Sequence, residues 1–428
     1  MKYAMIIPDG CADLPEDFPD GQTPLCVAAM PNIDALAHGG IVGQSCNVPP
    51  ELSPGSDVAT LSLLGYDPRS DYTGRAPLEA MAQGIPLGEF DWAVRCNLVT
   101  IVGGVMQSFS AGHISSEEAA ELLAEISRRG RRDRKEILEE TSADFALSAR
   151  NTLADDKIEF FPGVGYRNLM LYHGDDANDV PFDSSTRTSP PHDYADQSIV
   201  PGLPQGRGSD LLTRLMRESE RLFADHPVNR RRIKTGQPPA TQCWLWGLGK
   251  RPNLVPFHER FPGVRGAMIS AVDLLVGIAK LLGWDRIDVP GVTGYVDTDY
   301  AAKGRFAAAA LDRYDLVCVH VEAPDEASHE GSFEKKIKAM QDIDTLVVPP
   351  IVEKLQSFDD WRILVSPDHP TRISTKTHSH GPVPWVMAGS DVPMHNPGGY
   401  NELTAAQSPY RFNCGWELMS RFLDRRAF

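Results

Sequence analysis

Nothing in this sequence pairs its cysteines. Cys11, Cys26, Cys46, Cys96, Cys243, Cys318 and Cys414 are odd in number and scattered, and no CxxC occurs. Neither a zinc ribbon nor a disulfide framework is therefore indicated, and the usage suits a reducing, cytoplasmic setting. Long hydrophobic runs are equally scarce. The longest, "GAMISAVDLLVGIAKLLGW" (266–284), is interrupted by Asp273 and Lys280 and reads as a buried helix, not a membrane span. The opening "MKYAMIIPDG" is too short an apolar stretch for a secretory signal and reads as a first strand. Positive charge is in deficit: 42 Lys and Arg stand against 58 Asp and Glu, a net charge of −16. This argues against general attraction to nucleic acid or to an anionic membrane, although a few arginines or metal ions can still make one pocket attractive to a small anion. Two basic stretches, "RRGRRDRK" and "NRRRIKTGQ", read as solvated helix and linker surface. No Walker A or GxGxxG sequence is present, so a nucleotide-binding P-loop is not indicated.

What remains is a globular composition, 42% hydrophobic and 23% charged, in a chain of 428 residues that has length for two or three domains. Three short apolar, β-branched runs, "YAMIIPDG", "DLVCVHVEAPD" and "WRILVSPDHP", each end in Pro-Asp or Asp-His. Helical patterns lie between them, "SAVDLLVGIAKLLG" and "GSFEKKIKAMQDIDTLVVPPIVEKLQ". Strands alternating with helices predict a mostly parallel central sheet with helices on both faces. Chemistry in such sheets collects beyond the C-terminal strand ends, where all three acidic endings fall. The middle of the chain differs. "FDWAVRCNLVTIVGGVMQSFSAGHI" reads as two strands around a Gly-Gly turn, and "SSEEAAELLAEISRRG" as a helix opened by Ser115 and Ser116, with Glu118 placed for a capping box. "IEFFPGVGYRNLMLYHG" supplies further strands, followed by a long loop. The expected organisation is a discontinuous core domain, 1–80 with 262–428, and an inserted α+β domain at 81–261.

Several segments carry groups suited to metal or phosphate chemistry, and each also has a plain structural reading. Asp325 and His329 in "VEAPDEASHEG" stand i, i+4 and share a helical face; they suit one divalent cation or a surface ion pair. Asp368 and His369 in "SPDHP" follow a strand directly and suit either neighbouring metals or a solvated turn. His378 and His380 in "KTHSHGPVP" share a face if extended, without both needing to be ligands. Asp9 in "IIPDG" suits a ligand or a turn. In "SPGSDVATLSLLGYDP", Ser56 begins a helical run where amides and dipole favour a phosphate, while Ser56 or Asp57 also suits a simple N-cap. Taken together, carboxylates and imidazoles at strand ends plus a serine on a helix-opening turn suggest two-metal phosphoryl transfer.

In order along the chain, "IIPDG", "SPGSDVATLSLLGYDP", "YTGRAPLEAMAQGI", "RCNLVTI", "SAGHIS", "FFPGVGYRNLM", "HPVNRRR", "WLWGLGKRPNL", "EAPDEASHEG", "SPDHPT" and "KTHSHGPVP" resemble the cofactor-independent phosphoglycerate mutases. The similarity is to the archaeal-type branch, within the alkaline phosphatase superfamily, and spans nearly the whole chain. It implies an alkaline-phosphatase-like α/β core and interconversion of 3-phosphoglycerate and 2-phosphoglycerate, a glycolytic and gluconeogenic step, without 2,3-bisphosphoglycerate. It also implies Ser56 as the nucleophile that becomes phosphoserine, one divalent ion on Asp9, Ser56, Asp368 and His369, and a second on Asp325, His329 and His378. His380 falls outside that set. Carboxylate and imidazole donors favour Mn²⁺ or Zn²⁺, with Co²⁺ and Mg²⁺ as alternatives. His113 in "SAGHIS", Arg75 in "YTGRAP" and Arg167 in "GYRNL" correspond to substrate-binding positions, with Arg265 and Lys303 as further basic candidates. The rival readings are another phosphatase, phosphomutase or phosphotransferase of the same superfamily, and a non-catalytic paralogue.

Overall fold

A computed structural model describes residues 1–126, 156–177, 179–395 and 398–424. The "RRGRRDRK" stretch and the last residues of "SSEEAAELLAEISRRG" lie outside the described residues. The chain divides into two compact units, Met1–Tyr72 with Pro252–Phe428, and Thr73–Arg251.

The first unit is built on an eight-stranded sheet. Its strands are β1 (Lys2–Pro8), β2 (Ile41–Ser45), β8 (Gly266–Ile269), β9 (Asp285–Arg286), β10 (Leu316–Val321), β11 (Trp361–Val365), β14 (Val383–Gly389) and β15 (Arg411–Phe412). The order is β15-β2-β14-β11-β1-β10-β8-β9. β11, β1, β10, β8 and β9 run parallel, whereas β14 is antiparallel to both β11 and β2. The three runs with acidic endings become β11, β1 and β10, adjacent at the centre. All of β10 and all but the first residue of β1 are buried, which is why these strands read as continuous apolar runs without alternation. Ile6, Val319, Val365, Ala307, Met340 and Ile351 belong to one buried cluster on this sheet.

The helical pattern "GSFEKKIKAMQDIDTLVVPPIVEKLQ" forms two helices, Phe333–Asp342 and Val348–Gln356, joined by a π-helical turn at Ile343–Val347. Pro349 and Pro350 lack the N–H groups that a continuous helix would use, so the ladder shifts just ahead of them. The turn presents buried Asp344, whose carboxylate accepts the N–H groups of Asn32 (3.3 Å) and Ile33 (2.7 Å) and so caps the helix Pro31–His38.

The second unit holds a five-stranded antiparallel sheet of β3 (Trp92–Val102), β4 (Val105–Ser108), β5 (Ile158–Val164), β6 (Arg167–Tyr172) and β7 (Gln242–Lys250). The helix Arg75–Ala82 buries Ala76 and Ala80 with Ala93, Leu169 and Leu171 of this sheet, so the compact unit begins at Thr73, ahead of residue 81. The Thr73 hydroxyl donates to the Lys250 carbonyl at 2.5 Å, across 177 positions, so the chain comes into this unit and leaves it at adjacent points. Arg232 of "NRRRIKTGQ" is only 3% exposed. Its guanidinium pairs with Glu118 and donates to the carbonyls of Ala111 (2.6 Å) and Pro238 (2.8 Å). Ser115 accepts the N–H of Glu118 at 3.2 Å, but the Glu118 carboxylate goes to Arg232, so the return half of the capping box is absent. A buried guanidinium must be paired, and that demand outweighs a helix cap. Among the described residues, no helix is long and apolar enough to cross a membrane.

Candidate active site

Because β1, β10 and β11 are parallel neighbours, the segments after Pro8, Val321 and Val365 emerge at one edge of the sheet. They bring Asp9, Asp325, Asp368 and His369 together, all buried. Ser56 is the first residue of the helix Ser56–Leu63, whose cap position is Gly55 with no side-chain cap. Ser56 therefore does not serve as N-cap. Its Oγ donates to Asp9 Oδ2 at 3.1 Å and lies 3.3 Å from His369 Nε2. Asp57 is not the cap either, since its carboxylate accepts from the Tyr72 hydroxyl at 2.6 Å.

The polar atoms here are committed on one side and unpartnered on the other. Asp368 Oδ1 accepts the N–H groups of Gly10 (3.0 Å) and His369 (2.9 Å), while Asp368 Oδ2 and Asp9 Oδ1 are buried without a hydrogen-bond partner. Asp9, Asp368 and His369 offer ligand atoms within 4.8 Å of one another, as do Asp325, His369 and His378. Asp325 and His329 lie on the helix Ala323–Glu330, with Asp325 Oδ2 3.1 Å from His329 Nε2 and Oδ1 3.4 Å from His378 Nε2.

The imidazoles share one orientation. His329 Nδ1 lies 2.8 Å from the Lys376 carbonyl and His378 Nδ1 3.3 Å from the Pro54 carbonyl. Carbonyls only accept, so Nδ1 carries a proton in both rings and Nε2 faces inward. The hydrogen bond to Asp325 pushes His329 up to about 9, a proton on Nε2 that a cation would displace. Those two Nε2 atoms are 3.0 Å apart, a spacing at which a proton or a cation must lie between them. His380 is exposed, and its Nε2 lies 2.9 Å from the Leu52 carbonyl, apart from these rings.

Electrostatics make the same demand for positive charge. Burial, then the charges of Asp368, Glu322 and Asp325, hold the Asp9 carboxyl well above the usual range. Burial and the charge of Asp325 push Glu322 up to about 8. Divalent cations would relieve both effects, and the donor set fits them: orphaned buried carboxylate oxygens beside inward-facing imidazole nitrogens. Addition of Mn²⁺ to EDTA-treated protein is accordingly expected to raise its melting temperature by several degrees. One ion present at a hundred times its Kd contributes about 2.7 kcal/mol. Identical melting curves with and without the ion would contradict a metal site.

Two neighbours escape a reading of the sequence. His320 looks like a stray polar residue inside an apolar strand, but a buried imidazole must find partners. Its Nε2 lies 2.8 Å from Asp9 Oδ2 and its Nδ1 3.3 Å from Ser270 Oγ. Burial lowers its pKa to about 3, so it is neutral and donates Nε2–H to Asp9. Glu322 joins Asp9 and His320 in a third group with ligand atoms within 4.8 Å. Buried Lys303 donates to the His320 carbonyl at 3.0 Å. Arg265 is elsewhere, just before β8 at the opposite strand ends, paired with Asp285 at 2.9 Å.

The second unit gathers the remaining candidates. His113 follows Ala111 and Gly112 in a turn with three consecutive positive φ values (47°, 61° and 53°). The Arg232 bond to Ala111 fastens that turn. The His113 ring meets Tyr166 edge-on at 6.4 Å, and the Arg167 guanidinium lies 5.9 Å from the same ring. Arg75 and Arg167 both act on the charge of Glu79, whose direct partner is Arg95 at 3.0 Å. Arg95, the first residue of "RCNLVTI", also stacks on Trp246 at 4.0 Å, although the sequence alone assigns it no role. Three guanidinium groups around one buried carboxylate leave this surface net positive, suited to an anion.

Comparison with known proteins follows the same lines. A sequence profile of the family described as "2,3-bisphosphoglycerate-independent phosphoglycerate mutase" matches residues 37–229. The Methanothrix thermoacetophila protein of that name is 44% identical over 98% of each chain. A Geobacter sulfurreducens protein, named as a probable enzyme of this kind, is 42% identical over 99% of this chain and 100% of its own. Among solved structures, the PH0037 protein from Pyrococcus horikoshii superposes with a TM-score of 0.75 at 26% identity, covering 99% of this chain and 97% of that one. The cofactor-independent phosphoglycerate mutase from Thermoplasma acidophilum gives a TM-score of 0.63 at 25% identity, with 100% of both chains covered.

Proposed function

The chain belongs to the 2,3-bisphosphoglycerate-independent phosphoglycerate mutase family, and from that premise we propose that it interconverts 3-phosphoglycerate and 2-phosphoglycerate through a phosphoserine at Ser56. The observation that carries this reading is the position of Ser56 Oγ, 3.1 Å from Asp9 Oδ2 and 3.3 Å from His369 Nε2 at the start of a helix. Asp9, Ser56, Asp368 and His369 would hold one divalent ion, and Asp325, His329 and His378 the other. When bound, such ions lower the pKa of a serine hydroxyl and offset the charge of phosphoryl oxygens, and Mn²⁺ suits these donors.

Within the chain itself, Asp9 Oδ2 accepts the Ser56 hydroxyl proton's hydrogen bond and orients the oxygen, while the helix dipole favours a phosphoryl group there. Ser56 Oγ gives up its proton and forms a bond to phosphorus as the bond to one glycerate oxygen breaks, and that oxygen takes up a proton. The retained glycerate then presents its other hydroxyl, which loses its proton as it takes the phosphoryl group and frees Ser56. His113, Arg75 and Arg167 are assigned to the carboxylate and phosphate of the substrate, where a guanidinium can grip either in bidentate fashion. Water must be kept from phospho-Ser56, because its attack would turn a mutase into a phosphatase.

The test is to supply 3-phosphoglycerate and Mn²⁺, without 2,3-bisphosphoglycerate, and to follow 2-phosphoglycerate and free phosphate together. Isomer should accumulate to equilibrium with little phosphate released. Release of phosphate with no isomer would overturn the mutase reading in favour of a phosphatase on the same scaffold.

A further inference from the structure

Thr371 is buried two residues after His369, and its backbone is fixed on both sides. Its N–H donates to the Ala12 carbonyl at 3.1 Å, and its own carbonyl accepts from Lys336 Nζ at 2.8 Å. In the two-stranded ladder of β12 (Thr371–Arg372) and β13 (Thr377–His378), Thr371 stands opposite His378. Its hydroxyl oxygen lies 2.6 Å from Asp325 Oδ1 and 3.2 Å from His369 Nδ1. One threonine thus meets residues from both ligand groups.

The direction of these bonds follows from proton counting. At 2.6 Å the Thr371 hydroxyl donates to Asp325 Oδ1, so its single proton is spent there. The hydroxyl oxygen can then only accept from His369, so His369 carries its proton on Nδ1. That leaves the lone pair of His369 Nε2 facing Ser56, Asp9 and Asp368, at 3.3 Å from Asp368 Oδ2. His369 thereby matches His329 and His378, whose Nδ1 atoms are fastened to carbonyls. Room for the contact comes from Gly10, where a Cβ would stand 2.4 Å from both Thr371 Oγ1 and Asp325 Oδ1.

We propose that Thr371 is a positioning residue that couples the two metal subsites, its one hydroxyl orienting Asp325 in one and setting the tautomer of His369 in the other. This rests on the two-ion reading above. Hydrogen-bond partners of metal ligands are typically worth about 10–100-fold in affinity each. A hydroxyl that serves a ligand in each subsite should therefore be felt by both ions.

The experiment is calorimetric titration of EDTA-stripped protein with Mn²⁺, for wild type, Thr371→Val and Thr371→Ser. Valine keeps the shape and the backbone bonds, and serine restores the hydroxyl. Expected are two ions for wild type, a weakening of both by about 10–100-fold in Thr371→Val, and recovery in Thr371→Ser. Imidazole ¹⁵N spectra should show His369 protonated on Nδ1 in wild type and Thr371→Ser, and a tautomer mixture in Thr371→Val. The proposal is overturned if Thr371→Val binds both ions as wild type does, if only one ion weakens, or if serine fails to restore binding. Wild type taking up no pair of ions would instead overturn the two-ion reading, and this proposal with it.

Discussion

Ser56→Ala is expected to lower interconversion of 3- and 2-phosphoglycerate by at least about a thousand-fold while leaving a folded protein that still binds metal. The change removes one oxygen and strands little else. Asp9 Oδ2, which accepts from Ser56 at 3.1 Å, keeps His320 Nε2 at 2.8 Å, so no newly orphaned carboxylate destabilises the core. Asp368, His369, Asp325, His329 and His378 are untouched, so only one of the assigned ligands is lost. Quenching wild type during turnover should yield a phosphorylated peptide containing residue 56, and the alanine variant should yield none. Substantial isomerisation by Ser56→Ala would show that another group takes the phosphoryl.

Gly10→Ala is expected to have the second-largest effect, for a reason that lies in both backbone and packing. Gly10 adopts φ +57°, which costs an alanine about 1–2 kcal/mol. The added Cβ would also sit 2.4 Å from Asp325 Oδ1 and Thr371 Oγ1, and those atoms are pinned by buried partners. Asp325 must then move away from His329 and His378, and Asp368 loses the register of the Gly10 N–H. We expect a melting temperature lowered by several degrees and activity reduced at least about a hundred-fold, because misplacement by about 1 Å near the chemistry costs that much. Gly84→Ala is the control. Gly84 has φ +76°, but an added methyl there would meet nothing within 4 Å, so the variant bears only the backbone cost. Equal behaviour of the two variants would show that the Gly10 site has slack.

The three central strands β11, β1 and β10 are legible in the sequence because they are almost wholly buried and so predominantly apolar, with acidic ends marked by Pro-Asp and Asp-His, whereas short flanking strands such as exposed β9 carry no such run. Asp325 and His329 are legible for a local reason, the helical i, i+4 spacing, and their side chains meet at 3.1 Å. The residues that escape are those whose partners are remote in sequence. His320 serves Asp9 across 311 positions, and Thr371 reaches Asp325 across 46. Arg232 sits in what looks like an ordinary basic surface run, and only the fold reveals that its guanidinium secures the turn before His113. The π-helical turn escapes because two prolines look tolerable inside one long helical pattern, whereas their missing N–H groups force a change of ladder.

The adjacency of Thr73 and Lys250 bears on how the chain assembles. Ser56 and His369 are 313 positions apart, and a separation of 177 within that span is bridged by the Thr73–Lys250 hydrogen bond. Once the inserted unit has closed on itself, the span left to search is less than half as long. The entropy saved is small, about 0.7 kcal/mol, because loop closure depends only logarithmically on length. The temporal consequence is larger. Ser56 leaves the ribosome early, while Asp368 and His369 are made near the C-terminus, so this cluster depends on non-local contacts that form only when the chain is nearly complete. A nascent polypeptide that has not yet reached residue 369 carries Ser56 without the imidazole that lies 3.3 Å from its hydroxyl.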